Sequence, residues 1–461
     1  MRAWEYESEH FFSADPLEER EYQGWGKAFD KEEEADRQLR ELWLGFVPGS
    51  GAPVRLIVAT VQAVENLGKR VSAWQKPVES GYAALQKGDM EGLIEATVQV
   101  NRAVRLARDD FEDEYHRQRQ LHSFEDFRKA SPIEAEAEAP SRHPPADRVL
   151  GSWVGQAVGD ALGTAVEGYS SRQLRGAYGR IDGYVKTPST VNDDITYQIV
   201  LLEAVLEQGK NLSTELLAAD WAIRIPYAWS AEDVALRNIL AGLLPPRTAL
   251  TENPYREWIG AQMRGAAPGL LSGGHLLEAA RLAWLDGSLS HTSNGILGEV
   301  FNALMVSRAL REEDIRSILE WSIAMIPAET KYGAVIRNAL ETCKSSTSWD
   351  EAWARCEQAC IRYHWIHSYP NACAEVAALW FGDGDFDRTA QIVAMEGMDA
   401  DCNAAQVLSI LGTALGAGAI PVRWVEPLGG RFETYLRGKK DYSFEELAEM
   451  SLEAMRKLRG D

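Results

Sequence analysis

Two short stretches of this chain set neighbouring carboxylates in front of apolar runs. In Met398-Asp399-Ala400-Asp401-Cys402-Asn403 the run that follows, Ala404 to Ala419, carries Val407, Leu408, Ile410, Leu411 and Leu415, has no charge, and is closed by Gly416, Gly418 and Pro421. It reads as a buried helix with a sharp stop. Carboxylates two residues apart face different sides of a helix, which puts Asp399 and Asp401 on the turn entering it. There the free backbone N–H groups favour negative charge. One carboxylate is enough for capping, and a second at the mouth of an uncharged helix is costly unless it is hydrogen-bonded, solvated or bound to a cation. On this stretch alone, capping with solvation and a metal site are both open. Asn192-Asp193-Asp194-Ile195-Thr196 repeats the device ahead of the apolar run Tyr197 to Leu206. Two such entrances facing one another across a helical core would supply an oxygen-rich cage for hard divalent cations such as Mg2+. The expectation is a paired metal centre.

The elements that must hold these residues belong to a long chain. Its 461 residues and 45% apolar content allow two or three domains with sizeable cores. A net charge of −21 argues against nucleic acid as the main partner, because a surface that tracks phosphates needs clustered Lys and Arg. The five cysteines, Cys343, Cys356, Cys360, Cys373 and Cys402, are odd in number and lack zinc-type spacing, so they read as reduced, buried thiols of a cytoplasmic protein. The first ten residues have neither the basic nor the apolar region of a signal peptide, and no suitable apolar run argues for a membrane span.

Residues 1–47 are polar with scattered aromatics, and Glu32-Glu33-Glu34 reads as a solvated helix face. After Pro48-Gly49-Ser50-Gly51-Ala52-Pro53, the apolar positions Val54, Ile57, Val61, Val64, Leu67, Val71 and Trp74 follow a helical period. A second periodic segment follows Gly88-Asp89 and runs into the charged stretch Arg108 to Glu114. Residues 1–130 are therefore expected to form a smaller, mostly helical accessory domain. Residues 131–146, acidic and proline-bounded, read as an exposed linker, with the second domain at 147–461. The stretch from Ala84 to Asp89 with Asn101-Arg102 faintly resembles a helical part of galactokinase- and mevalonate-kinase-type enzymes, but Pro48 to Pro53 is too short for a phosphate loop and lacks its Lys and Ser/Thr.

From Asp147 the chain is rich in small residues, which permits close helix–helix approach, and its apolar part carries one charge, Asp160. Gly159-Asp160-Ala161-Leu162-Gly163 with Glu167, then Asn192 to Thr196, then Met398 to Asn403, in this order, resembles the ADP-ribosylglycohydrolase family over about two-thirds of the chain. The resemblance implies an all-α fold: a compact multi-helix domain with a central binuclear metal cleft holding two Mg2+ ions. It implies metal ligation by Asp193, Asp194, Asp399 and Asp401, with catalytic weight on Asp193, Asp401 and Glu167, the last beside the scissile bond. Asp160, on the motif helix, reads either as a residue supporting the ligands or substrate or as a helix-packing carboxylate bonded to backbone. The segment with His291, Ser293, Asn294 and Gly295, and the one with His367, match substrate-side positions.

Two departures from the family pattern concern the ligands. Asn192 stands where Thr is common, and its amide oxygen can still bind Mg2+; Cys402 stands where Ser or Thr is common, and a thiol is a poor Mg2+ ligand. The implied activity is Mg2+-dependent hydrolysis of an N- or O-glycosidic bond to ribose in a small ribosyl or ADP-ribosyl compound, or in an ADP-ribosylated protein. Hydrolysis of a ribosyl metabolite or nucleoside, and a non-catalytic ADP-ribose- or nucleotide-binding role, are the alternatives.

Overall fold

The computed structural model describes residues 1–15, 27–136 and 145–460. Half of the expected linker, residues 137–144, therefore lies outside the described residues. Among the described residues, helices make up nearly all of the regular structure, and the strands form only three short antiparallel pairs, Gly45–Phe46 with Pro53–Val54, Lys69–Arg70 with Arg108–Asp109, and Arg431–Glu433 with Asp441–Ser443. The fold is all-α, as the residue pattern implied. Among the described residues no helix is long and apolar enough to cross a membrane.

The centre of the molecule is an antiparallel pair of helices, Ala146–Gly163 and Ala400–Leu415, both almost wholly buried. They touch backbone to backbone. A Cβ at Gly151, Gly155, Gly159 or Gly163 would overlap the carbonyl oxygen of Gly412, Leu408, Ala404 or Ala400, respectively. Glycine at every fourth position is what lets one helix lie in the groove of the other, and it carries the C-terminal end of the first helix to the entrance of the second. Asp193–Gln208, Asn294–Ala309, Ser368–Gly382 and Phe444–Arg459 enclose the pair. The second helix ends where expected, at Gly416 with φ +84°.

A smaller apolar core lies within residues 43–107, around Trp43, Ile57, Val61, Leu93 and Val100. Trp43 is fully buried and donates its indole N–H to Thr97 Oγ1 at 2.8 Å. Leu121, Phe127 and Ile133 instead join the large core. The expected continuous helix through Val54 and Trp74 is not found: the helix is Leu56–Asn66, it stops ahead of Gly68 at φ +70°, and Lys69–Arg70 turns aside to pair with Arg108–Asp109. The apolar period persists across the break because Val71 and Val78 still face the same core.

Candidate active site

Each acidic motif stands at a helix entrance. Asn192 immediately precedes the helix Asp193–Gln208, and Asp399 immediately precedes Ala400–Leu415, so Asp193, Asp194 and Asp401 lie in first turns. Asp401 is thus one step further into its helix than an entering turn would place it, and its Oδ1 accepts the N–H of Cys402 at 3.1 Å. Neither Asn192 nor Asp399 makes a side-chain capping bond. These side chains are therefore left for one another and for a ligand.

Backbone pairing brings Glu167 to the second motif. Gly168 N–H donates to Met398 O at 2.8 Å, and Met398 N–H donates to Tyr169 O at 2.9 Å. Gly397 and Met398 adopt φ +73° and +62°, which turns the chain into this pairing just ahead of Asp399. Asn371 completes the support: its Oδ1 accepts the Asp399 N–H at 3.2 Å and the Asn403 amide at 2.8 Å.

The result is a cluster of six carboxylates, Asp160, Glu167, Asp193, Asp194, Asp399 and Asp401, in which ligand-type atoms of Glu167, Asp399 and Asp401 lie within 4.8 Å of one another, as do those of Asp194, Asp401 and Cys402. Asp401 belongs to both groups. Asn192 Nδ2 donates to Asp194 Oδ2 at 2.8 Å and to Asp160 Oδ1, which ties the glycine-rich helix to the first motif. Asp160 Oδ2, Asn192 Oδ1 and Asp194 Oδ1 are buried without a hydrogen-bond partner.

Burial and mutual repulsion raise these carboxyls. Asp193 is pushed up to about 7, first by burial and then by the charge of Asp401, with Arg264 partly opposing. Asp160 and Asp194 are raised well above the usual range by burial and then by neighbouring aspartates, as is Asp399. Glu167 is raised by burial and then by Asp401 and Asp399. Arg264, whose charge reaches Asp193, is itself committed to Glu232 and Asp286. Hard oxygen donors, unpartnered and crowded in a buried place, fit a divalent cation of the Mg2+ type. Cys402 fits less well: its thiol is raised well above its ordinary value by burial and then by Asp194, so the sulfur stays protonated and soft.

The remaining sequence candidates lie in adjoining polar networks rather than in the carboxylate cluster. His291 is buried beside Glu232, 3.9 Å away, with Nδ1 2.8 Å from Ser290 Oγ and Nε2 unpartnered; burial and then Arg264 hold it neutral. Ser293 Oγ accepts the N–H of Leu121 at 3.0 Å, Asn294 bonds Glu257 and the Tyr332 N–H, and Gly295 packs against the Arg256 backbone. His367 precedes the helix Ser368–Gly382 and accepts the Tyr369 N–H.

Sequence reasoning did not anticipate the buried ion cluster beside the site. Arg264 bonds Glu232 and Asp286, faces Glu299 at 3.7 Å, and lies over the rings of Tyr197 and Trp221. A signal was present in Glu299, a single carboxylate in the otherwise apolar stretch Ile296 to Val306.

Residues 141–460 match the model of the ADP-ribosylglycohydrolase family. An uncharacterized protein of Archaeoglobus fulgidus is 25% identical over 297 residues, covering 60% of this chain and 90% of its own. YegU of Escherichia coli K12, also uncharacterized, is 26% identical over 312 residues, covering 59% of this chain and 89% of its own. One chain of a solved ADP-ribosylglycohydrolase-related protein complex aligns over 68% of this chain and 99% of itself, at 22% identity and a TM-score of 0.46. With more than half of its length matched and an acidic cluster of the kind a metal-dependent glycosidase requires, the chain belongs to the ADP-ribosylglycohydrolase family of hydrolases.

Proposed function

We propose that the protein is a Mg2+-dependent hydrolase that cleaves the N- or O-glycosidic bond of ribose in ADP-ribosyl or related small ribosyl compounds. The observation that carries this reading is the pair of ligand groups that share Asp401 where two helix entrances and the Glu167 turn meet. Asp194 and Asp401, and Glu167, Asp399 and Asp401, would hold two cations. Asn192 and Asp193 would complete the donor set, and Cys402 would serve better as a hydrogen-bond donor than as a ligand. When bound, the cations would supply a fixed grip on ribose hydroxyls and a more acidic water at neutral pH.

The protein's own residues divide the remaining work. Glu167 lies at the partly exposed edge of the cluster, and when it is not drawn onto a cation it would act beside the scissile bond as acid/base or hold the substrate hydroxyls. Asp160 holds the amide of Asn192 and so orients the first motif. Asp193, partly exposed at the start of its helix, would orient or activate a water beside the cations once it is ionised. His291, whose Nδ1 faces Ser290 and Glu232 and whose Nε2 is buried without a partner, is the strongest of the substrate-side candidates. Ser293, Asn294, Gly295 and His367 would shape that side of the cleft through its backbone.

Residues 1–130 are read as an accessory domain and the rest as the catalytic one. Five free, buried cysteines support a reducing, cytoplasmic setting. The departures at Asn192 and Cys402 favour a second reading within the same chemistry, a ribosyl metabolite or nucleoside as substrate.

The test is hydrolysis of a panel of ADP-ribosyl compounds, simple ribosides and ADP-ribosylated protein, with Mg2+ and with EDTA. Metal-dependent release of ADP-ribose or ribose is expected, and it should vanish in Asp401→Ala and Asp194→Ala while both variants keep their helical circular dichroism. Full activity in either variant sinks the metal role. Mg2+ binding without turnover of any compound would leave a binding role instead.

A further inference from the structure

The turn that carries Glu167 is held from outside the family's span. Residues 47–52 form a closed loop: Val47 N–H donates to Ala52 O, and Gly51 N–H to Val47 O, each at 2.8 Å. This loop lies on the turn from both sides of Glu167. Upstream, Gly49 rests on Thr164 so closely that an added Cβ would overlap the Thr164 methyl and stand 2.5 Å from its carbonyl oxygen. Downstream, the open face of Gly168 is filled by Ala52, whose Cβ would lie 2.8 Å from a Cβ placed there, with Val47 behind it at 3.4 Å. Ala52 and Val47 are buried in this contact, 1% and 6% exposed.

The same loop is fastened to the segment leading into the first acidic motif. Lys186 Nζ donates to Gly49 O at 3.0 Å and to Ser50 O at 3.4 Å. Tyr184, two residues earlier, is close enough to Asp160 for that charge to add to the effect of burial in raising its phenol. One loop therefore spans the chain bearing Glu167 and the chain running into Asn192, while the family match begins only at residue 141.

We infer that residues 47–52 are a strap across the edge of the acidic site that positions Glu167, so that the N-terminal region is a working part of the hydrolase site. The inference rests on the metal reading proposed above. Thr164, Gly168 and Lys186 are positioning residues. Thr164 is further fixed by its own hydroxyl bond to Asp160 O at 2.7 Å, so pressure on it is passed to the helix end that carries Asp160. No side chain of the strap ligates; its contribution is to deny the Glu167 turn any other conformation.

The test is Mg2+ titration by calorimetry on the full-length protein, with thermal melts alongside, for wild type, Gly49→Ala, Lys186→Ala and Lys186→Arg. Lys186 is exposed, so its variants are expected to fold and melt as wild type does. Loss of an outer support commonly weakens metal affinity by about tenfold or more, and a loss of that order is expected for Gly49→Ala and Lys186→Ala. Lys186→Arg should restore affinity, because a guanidinium can donate to both carbonyls. Where wild type binds Mg2+, unchanged affinity in both Gly49→Ala and Lys186→Ala overturns the strap and leaves the site reading standing. If wild type binds no Mg2+, the site reading fails and takes the strap with it.

Discussion

Raising the pH of the cation-free protein should loosen it, and the acidic site sets the size of the effect. Asp193 is pushed up to about 7 from an ordinary 3.8. Between those values the folded protein keeps a proton that the unfolded chain has released. The stability tied to that proton is fully present below the unfolded value and is lost as pH rises through the folded one. For Asp193 alone the loss between about pH 5.5 and 7.5 comes to about 2 kcal/mol. Asp160, Asp194 and Asp399 are raised as well and act in the same direction.

A bound cation reverses the trend, since it needs the ionised oxygens. At a hundredfold excess over its Kd it adds about 2.7 kcal/mol, and protons compete with it more strongly at the lower pH. The assay is thermal unfolding at both pH values, in EDTA and in Mg2+, for wild type and Asp193→Asn. At roughly 1–2 °C per kcal/mol for a unit of this size, the wild-type midpoint in EDTA should fall by about 2–4 °C more than that of the variant. Mg2+ should recover most of this at the higher pH. Equal slopes for the two proteins, or an equal Mg2+ shift at both pH values, would refute the reasoning.

Two further outcomes follow from the core. Gly155→Val should cost at least about 3 kcal/mol in urea unfolding, because its side chain would be driven into the Leu408 carbonyl with no flexible neighbour to yield; a loss below about 1 kcal/mol would mean the helices can slide apart. Arg264→Met should cost about 3–5 kcal/mol, since it strands Glu232, Asp286 and Glu299 in the interior, and a neutral result would refute the reading of Arg264 as the charge that holds them.

The helix entrances were legible in the sequence because the signal is local: adjacent acids before an apolar run leave few other roles. The richness of 151–163 in small residues was legible for the same reason, while the partner it packs on was not. What was hidden depends on partners far apart in the chain. Nothing near Gly49 announces that its backbone will meet Thr164, and nothing near Arg264 names Glu232, Asp286 and Glu299. The helix through Val54 and Trp74 was overdrawn because periodicity reports which residues share a core, and a turn at Gly68 can break the helix while leaving that assignment intact. Asn371 was hidden too, since its role depends on bonds to Asp399 and Asn403 that no local pattern contains.

The glycine contact between Ala146–Gly163 and Ala400–Leu415 also bears on when the site comes into being. Each glycine inside a helix gives up about 1 kcal/mol of intrinsic preference relative to alanine, so the first helix is a poor helix in isolation and gains its order from docking on the second. Asp160 and Asp401 sit at one end of that contact, where Gly163 lies against Ala400 and Asp401. The same backbone contact brings them together, so cation affinity becomes a readout of the docked helix pair: chains in which the two helices have not docked, with the acidic motifs apart, would hold no ion.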